Sequence, residues 1–409
     1  MRSRILSYAT VVTVYVVAAS DAMALAIAQT FSFERTPSWN VMKSKMAAAE
    51  AMGLDAIWIP PAYKSSEGVG SLGYDPYDRY DLGDYFQQGT RATLWGTKDE
   101  LVGLIEAAHA LGIQVYADVV LNHNGARMNY VYPDFSYTDF HHNGPILDWS
   151  DPWWVENGDL VGLEDLKQEK RYVRDHLLDW LAWFQDELQL DGFRYDAVKH
   201  VPKWFWSEVA EVAEGYVFGE VVSGDPFSVG DYASTGMDLL DYPLYYVLLE
   251  CFGRDARRPL ADLAKNGLEA EVTTLFIENH DMPGPAKKNL AYAHILTRGG
   301  NVVLFIEDLL NPWLREKLTT QIWVHHNLAW GATDYKITAN HQLVYERRGN
   351  LLVGINRAYV ESALTVTTAW RSVWLKDYSG HRPDEVWVDD SGRVSFTIPA
   401  DNYVFYAPR

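Results

Sequence analysis

From Ala24 to Ile306 the chain alternates between short apolar segments and amphipathic stretches of helical spacing, and this alternation limits the fold more than any other feature. Ala24–Phe33 reads as a strand, followed by a helix over Ser38–Met52 whose Val41, Met42, Met46 and Ala49 recur at helical spacing. Gly53 closes that helix and Ala56–Pro60 is the next strand. A helix over Lys98–Leu111, closed by Gly112, leads to a strand at Gln114–Leu121. The stretch from Asn124 to Asp165, rich in Asn, Pro, Gly, His and aromatic residues, is too long for an ordinary loop and reads as an inserted subdomain. Regularity returns with a helix near Glu169–Leu188, a strand at Phe193–Asp196, a helix at Pro202–Ala213 and a strand at Tyr216–Glu220. Further strands are expected near Gly236–Leu240, Thr273–Ile277 and Asn301–Ile306. Parallel strands with helices between them, eight in all, close naturally into a (β/α)8 TIM barrel.

The predicted fold is thus α/β: a barrel over residues 25–330, with 124–165 inserted after the third strand. After Trp330 the helical pattern stops. Leu343–Arg348, Leu351–Asn356, Ser372–Asp377, Arg393–Ile398 and Tyr403–Ala407 read as short strands, with a turn signal at Asp390-Ser391-Gly392, and predict a C-terminal antiparallel β-sandwich over 331–409. Residues 1–24 read as a cleavable export signal. Arg2 and Arg4 precede an apolar run from Ile5 to Ala19, and Ala22-Met23-Ala24 has the small-x-small form of a cleavage site. The run is short for a membrane span, so a secreted (extracellular or periplasmic) protein with no membrane association is expected.

Composition narrows the function. Asp and Glu outnumber Lys and Arg by 55 to 35, spread along the chain, which argues against nucleic acid because a binder clusters cations to displace counterions. The single cysteine, Cys251, excludes an intrachain disulfide and a cysteine-based zinc site, and reads as core filler. The chain carries 16 Trp, 25 Tyr and 15 Phe, side chains able to stack on the C–H faces of sugars but equally able to fill a core.

In such a barrel the groups that do chemistry project from the C-terminal ends of strands. Four ends carry ionisable residues here: Asp118 with Asn122-His123; Arg194-Tyr195-Asp196 with Lys199-His200; Glu220 after Phe218-Gly219; and Glu278-Asn279-His280-Asp281. Buried charge is costly unless paired or used, so this concentration implies a site. Arg194 and Asp196 lie two apart, hence on one face, and the guanidinium is expected to keep Asp196 ionised; a purely structural pair is the plainer alternative. Glu220 would sit one strand away, without an arginine of its own, and is expected to retain a proton. One fixed anion and one retained proton make a retaining glycosidase pair, which requires carboxyl groups ~5–5.5 Å apart. Asp281 would stabilise positive charge at the sugar carbon, with His123 and His280 donating to hydroxyls.

Together these segments resemble the α-amylase family of glycoside hydrolases. The strand-end motifs occur in that family's order, and Leu163-Glu164-Asp165-Leu166 closes the insertion where the family has one. The resemblance implies Asp196 as nucleophile, Glu220 as general acid/base and Asp281 as transition-state stabiliser. It implies substrate contacts at Asp118, His123, Arg194 and His280, with Tyr74 of Gly73-Tyr74-Asp75-Pro76-Tyr77-Asp78 stacked under the sugar at the cleavage point. Lys199 and His200 would act beyond that point. It also implies a structural Ca²⁺ held by Asn122, Asp165 and the backbone carbonyl of His200, with Asp134, Asp139 and Asp148 as further candidates. Hard oxygen donors from separate segments suit that ion. The chain departs from the family in its short insertion, in an eighth strand (Gly300 to Asp308) without the usual Pro and paired aromatics, and in a brief loop from Met282 to Lys288. The expected function is a secreted, monomeric, endo-acting α-1,4-glucan hydrolase acting on starch or maltooligosaccharides. A related glycosyltransferase, an exo-acting enzyme and a non-catalytic glucan-binding protein are the alternatives.

Overall fold

The computed structural model describes residues 24–126 and 128–409, so the expected export signal lies almost entirely outside the described residues. Among these residues eight parallel strands close into a barrel: β1 (Ala26–Gln29), β2 (Ala56–Ile59), β3 (Gln114–Val119), β4 (Gly192–Tyr195), β5 (Tyr216–Gly219), β6 (Asp238–Leu240), β7 (Thr273–Leu275) and β8 (Asn301–Phe305). Each pairs with its sequence neighbours, and β1 with β8 closes the ring. The expected strands are all present but shorter at their ends. Asn122, Asp196 and Glu220 lie just beyond the assigned strands, buried at the rim of the barrel.

The helices follow from their apolar faces. Leu101, Leu104, Ile105 and Ala108 form the buried stripe of the helix Lys98–His109, which Thr97 and Glu100 close with a capping box. Val173, Leu177, Trp180, Leu181, Phe184 and Leu188 bury the face of Arg171–Leu188. The continuous helix expected over Ser38–Met52 is instead two, Trp39–Lys43 and Met46–Ala51. The chain breaks at Ser44 and Lys45, and Met42 and Met46 still reach the core on either side. Gly192 is required at the entry to β4: a Cβ there would lie 1.8 Å from the Tyr216 carbonyl oxygen. Cys251 is fully buried and free, as core filler should be.

The insertion holds a short helix, Pro152–Asn157, and returns through a bridge between His123 and Asp165. A second excursion, the ladder Lys64–Ser65 with Pro76–Asp78, carries Tyr74. Lys64 anchors it: the fully buried ammonium lies within 3.4 Å of the carbonyl oxygens of Tyr85, Thr90, Arg91 and Ala92, and 3.4 Å from Asp81.

The C-terminal region forms two sheets. One is six-stranded: β9 (Thr333–Thr338), β10 (Gln342–Arg347), β11 (Leu351–Asn356), β13 (Val373–Asp377), β14 (Val386–Val388) and β16 (Asn402–Pro408), in the order β9-β10-β11-β16-β13-β14. The other pairs β12 (Ser362–Thr367) with β15 (Arg393–Ile398). Val344, Leu352, Val366, Phe396, Ile398 and Val404 fill the space between them. Tyr345, Val353 and Phe405, on the other face of the large sheet, join the barrel core. Strands β9, β12 and β14 were not expected. β9 and β12 are largely solvent-facing, and β14 is only three residues long, too short to show a period.

Candidate active site

Ladder register places the key carboxylates. Asp118 pairs with Arg194 across β3 and β4, and Tyr195 with Gly219 across β4 and β5. Asp196 and Glu220 are therefore the next residues on adjacent strands, side by side at the rim. The backbone continues the pattern, with Glu220 N donating to Tyr195 O at 2.9 Å and Asp196 N to Val119 O at 3.0 Å.

Arg194 is the hub, fully buried. Its Nη1 donates to Asp118 Oδ1 at 2.9 Å and to Asp196 Oδ1 at 2.7 Å, while Nη2 stands 3.0 Å from Glu220 Oε1. The expectation that Glu220 lacks an arginine is thus corrected: one guanidinium serves three carboxylates because the barrel's curvature brings β3, β4 and β5 around it. Burial pushes the Asp196 carboxyl well above its usual range, against the pull of Arg194, and the Glu220 charge adds to the rise. The guanidinium alone therefore does not depress Asp196 as expected. Burial also raises Asp118, again against Arg194. Asp281 stands at the mouth of the cleft, pushed up to about 6 by burial and by Glu220. Carboxylates packed around one buried guanidinium cannot all ionise cheaply, and burial disfavours the anions of Asp118, Asp196 and Asp281.

Aromatic and polar walls complete the site. Tyr74 Oη donates to Asp118 Oδ2 at 2.7 Å, and its ring stacks on His280 at 5.1 Å and 11°. Gln29 Nε2 donates to His280 Nδ1 at 2.8 Å, leaving His280 Nε2 facing Asp281 Oδ2 at 3.2 Å. Burial and Arg194 hold His280 well below the usual range, so its ring is neutral and Nε2 carries the proton. His123 also lines the cleft, but Nδ1 accepts from Asn122 Nδ2 at 3.1 Å and Nε2 donates to the Tyr74 carbonyl at 2.9 Å. Its expected donation to a sugar hydroxyl is therefore corrected: the donor is taken up in fixing Tyr74, and burial keeps the ring neutral at about 3. Lys199 Nζ donates to Val222 O at 3.0 Å, just beyond the end of β5, while His200 Nδ1 donates to Val155 O at 2.8 Å and ties this strand end to the insertion.

The predicted catalytic and substrate residues thus converge on one cleft of ≈ 640 Å³, with Arg194 and Asp118 supporting it from beneath. Sequence reasoning missed several neighbours. Trp58 Nε1 donates to Asp118 Oδ2 at 3.0 Å, and Tyr242 Oη donates to Glu220 Oε1 at 2.9 Å. Phe33 leans on His280 at one edge of the cleft, and Trp149 on His200 at another. Tyr242 lies two residues beyond the end of β6, the one positional signal that could have flagged it.

The calcium candidates separate into two groups. Asn122 Oδ1 and Asp165 Oδ1 are buried oxygens with no hydrogen-bond partner among the described residues. Oxygen donors left without protons fit a hard cation. The other Asp165 oxygen is bonded to His141 Nδ1 at 2.7 Å. Asp134, Asp139 and Asp148 are otherwise engaged: Asp134 faces His176 at 3.5 Å, Asp139 pairs with Lys170 at 2.5 Å, and Asp148 accepts from Ser150.

A parallel barrel with paired carboxylates at the C-terminal rim defines a glycoside hydrolase. A family model for the α-amylase catalytic domain matches residues 38–287, and one for the α-amylase C-terminal domain matches 351–407. The chain belongs to the α-amylase family. It is 35% identical over 251 residues to a β/α-amylase of Paenibacillus polymyxa, an overlap of 58% of this chain but only 20% of that protein. An α-amylase of Bacillus licheniformis is 29% identical over 475 aligned positions, covering 91% of this chain and 90% of the relative. The structure of an α-amylase from Geobacillus thermoleovorans, complexed with acarbose, superposes with a TM-score of 0.80 at 23% identity, covering 95% of this chain and 98% of that one.

Proposed function

We propose that the chain is a secreted, endo-acting α-1,4-glucan hydrolase that cleaves starch-like glucans with net retention. The observation that carries this reading is the meeting of Asp196, Glu220 and Asp281 in one cleft beside the Tyr74–His280 stack. A sugar seated on Tyr74 would present its anomeric carbon to Asp196. Glu220 protonates the departing oxygen as Asp196 attacks, then takes a proton from water as water breaks the glycosyl–Asp196 ester. Asp281 lies where it can balance positive charge at the ring, and Arg194 fixes the carboxylates throughout. Phe33 at the His280 edge and Trp149 at the Lys199 edge fit a chain running past the carboxylates in both directions, which favours internal cleavage.

Asn122 Oδ1, Asp165 Oδ1 and the backbone carbonyl of His200 would hold the Ca²⁺, whose charge would neutralise Asp165 and bind the insertion to the barrel. Secretion rests on residues 1–24 and is tested by N-terminal sequencing of protein recovered from the medium. The activity is tested on soluble starch and maltopentaose. Wild type should release internal fragments, and Asp196→Asn and Glu220→Gln should each lose nearly all turnover; wild-type turnover in Asp196→Asn would refute the assignment.

A further inference from the structure

The brief loop from Met282 to Lys288 and the eighth-strand segment ending in Glu307-Asp308 meet at one side chain, that of Lys288. Lys288 opens the helix Lys288–Arg298, and its ammonium lies between two carboxylates. One is Asp308, 2.6 Å away and just past the end of β8; the other is its ion-pair partner Glu278, just past the end of β7. Asp308 is buried, and its second oxygen accepts at 2.8 Å from Tyr292 Oη, one turn along the same helix. Burial pushes Glu278 above its usual range; Lys288 opposes that rise and the Asp308 charge adds to it. The loop folds tightly over this cluster: a Cβ on Gly284 would lie 2.5 Å from Glu278 Oε2 and 2.9 Å from Lys288 Cε.

None of these three charged groups lines the cleft, yet they bracket a residue that does. Glu278 stands three residues before Asp281 and Lys288 seven after it. Between them the chain turns on Asn279, whose Oδ1 accepts from the N–H groups of Asp281 and Met282, each at 2.9 Å. The Asp281 carboxylate itself is 40% exposed, and among the described residues its partner is His280 Nε2 at 3.2 Å. Arg194 fixes Asp196 directly, whereas Asp281 depends for its position on the backbone that carries it.

We propose that Lys288 is a positioning residue for the reaction: by joining Glu278 to Asp308 it ties the ends of β7 and β8 together and holds the turn that sets Asp281 beside the sugar ring. This rests on the role proposed for Asp281 above. Without the ammonium, Glu278 and Asp308 are left as unpaired like charges, and the turn shifts to separate them. A carboxylate that acts on charge developing at the ring contributes mainly in the transition state, so its displacement lowers kcat and leaves KM nearly unchanged.

The test is a double-mutant cycle on α-maltotriosyl fluoride, whose good leaving group keeps slow variants measurable. Lys288→Met should lower kcat about 30-fold with KM within about twofold of wild type, since a displacement on the order of 1 Å costs up to about 100-fold. Lys288→Arg, which still reaches both carboxylates, should regain most of the loss. In an Asp281→Asn background, where there is no carboxylate left to position, Lys288→Met should cost less than about threefold. Lys288→Gln, which still donates to one carboxylate, runs through the same cycle as a milder second variant. The same loss in both backgrounds, a loss carried by KM, or no loss at all would overturn the proposal. Wild-type turnover in Asp281→Asn alone would instead remove the role of Asp281 on which it rests.

Discussion

The carboxylates buried in the C-terminal sheets and those buried at the barrel mouth are held in opposite ways. Asp377 accepts from the backbone N–H groups of Ser379, His381, Arg382 and Phe405, and from the Ser379 hydroxyl. Glu346 accepts from Gly349 N and Ala369 N and pairs with Lys336 at 3.1 Å. Each structural carboxylate has its own full set of donors. At the mouth, Asp118, Asp196 and Glu220 crowd one guanidinium, and Arg194 Nε has no hydrogen-bond partner among the described residues. Saturated carboxylates hold strands together, whereas a crowded set keeps unused bonding capacity, which is what acid–base and nucleophilic chemistry need.

The sharpest way to break this contrast is to remove one member of each set. Asp196→Asn should lower kcat on maltopentaose about 10⁴-fold or more while leaving the melting temperature near wild type, since a crowded buried charge has been removed. Asp377→Ala should do the reverse. It strands four backbone donors and should cost about 3 kcal/mol in denaturant unfolding, with kcat of the folded enzyme unchanged. A stability loss from the first, or an activity loss from the second, would erase the distinction.

How far the contrast could be read before the structure depended on the interaction involved. Strands bounded by glycine and helices with apolar stripes were legible, because periodicity is written locally. So were Asp196, Glu220 and Asp281, since charged residues closing apolar runs stand out. Arg194 reaching Glu220 was not, because it depends on the stagger between β4 and β5 and on barrel curvature. Phe33 and Trp149 gave no signal among so many aromatic residues; only the tertiary fold brings them to the cleft. Strands β9 and β12 were hidden by their exposure, β14 by its three-residue length, and the break at Ser44 by the apolar spacing that continues across it.

Asn122 and Asp165 stand between the two settings, buried with oxygens that no protein donor satisfies. Chelation should lower the melting temperature and added Ca²⁺ restore it, with a stabilisation of about 2.7 kcal/mol at a hundredfold excess over Kd. Identical melting curves in calcium and in excess chelator would place these oxygens with the unsatisfied polar atoms of the barrel instead. The smallest effect concerns Asp281. Its carboxyl is raised to about 6, so the ionised form needed at the ring is lost as pH falls through that value. The kcat/KM profile should bend there and drop about tenfold per pH unit below it. A profile flat to pH 4 would show that Asp281 ionisation is not required.

The central claim is that Asp196 and Glu220 work as a retaining pair. Following the first turnovers on maltopentaose by ¹H NMR, before mutarotation, reads it directly. Newly formed reducing ends should appear as the α-anomer, the configuration of the bond cleaved; β-anomer appearing first would mean direct displacement by water and would contradict the account.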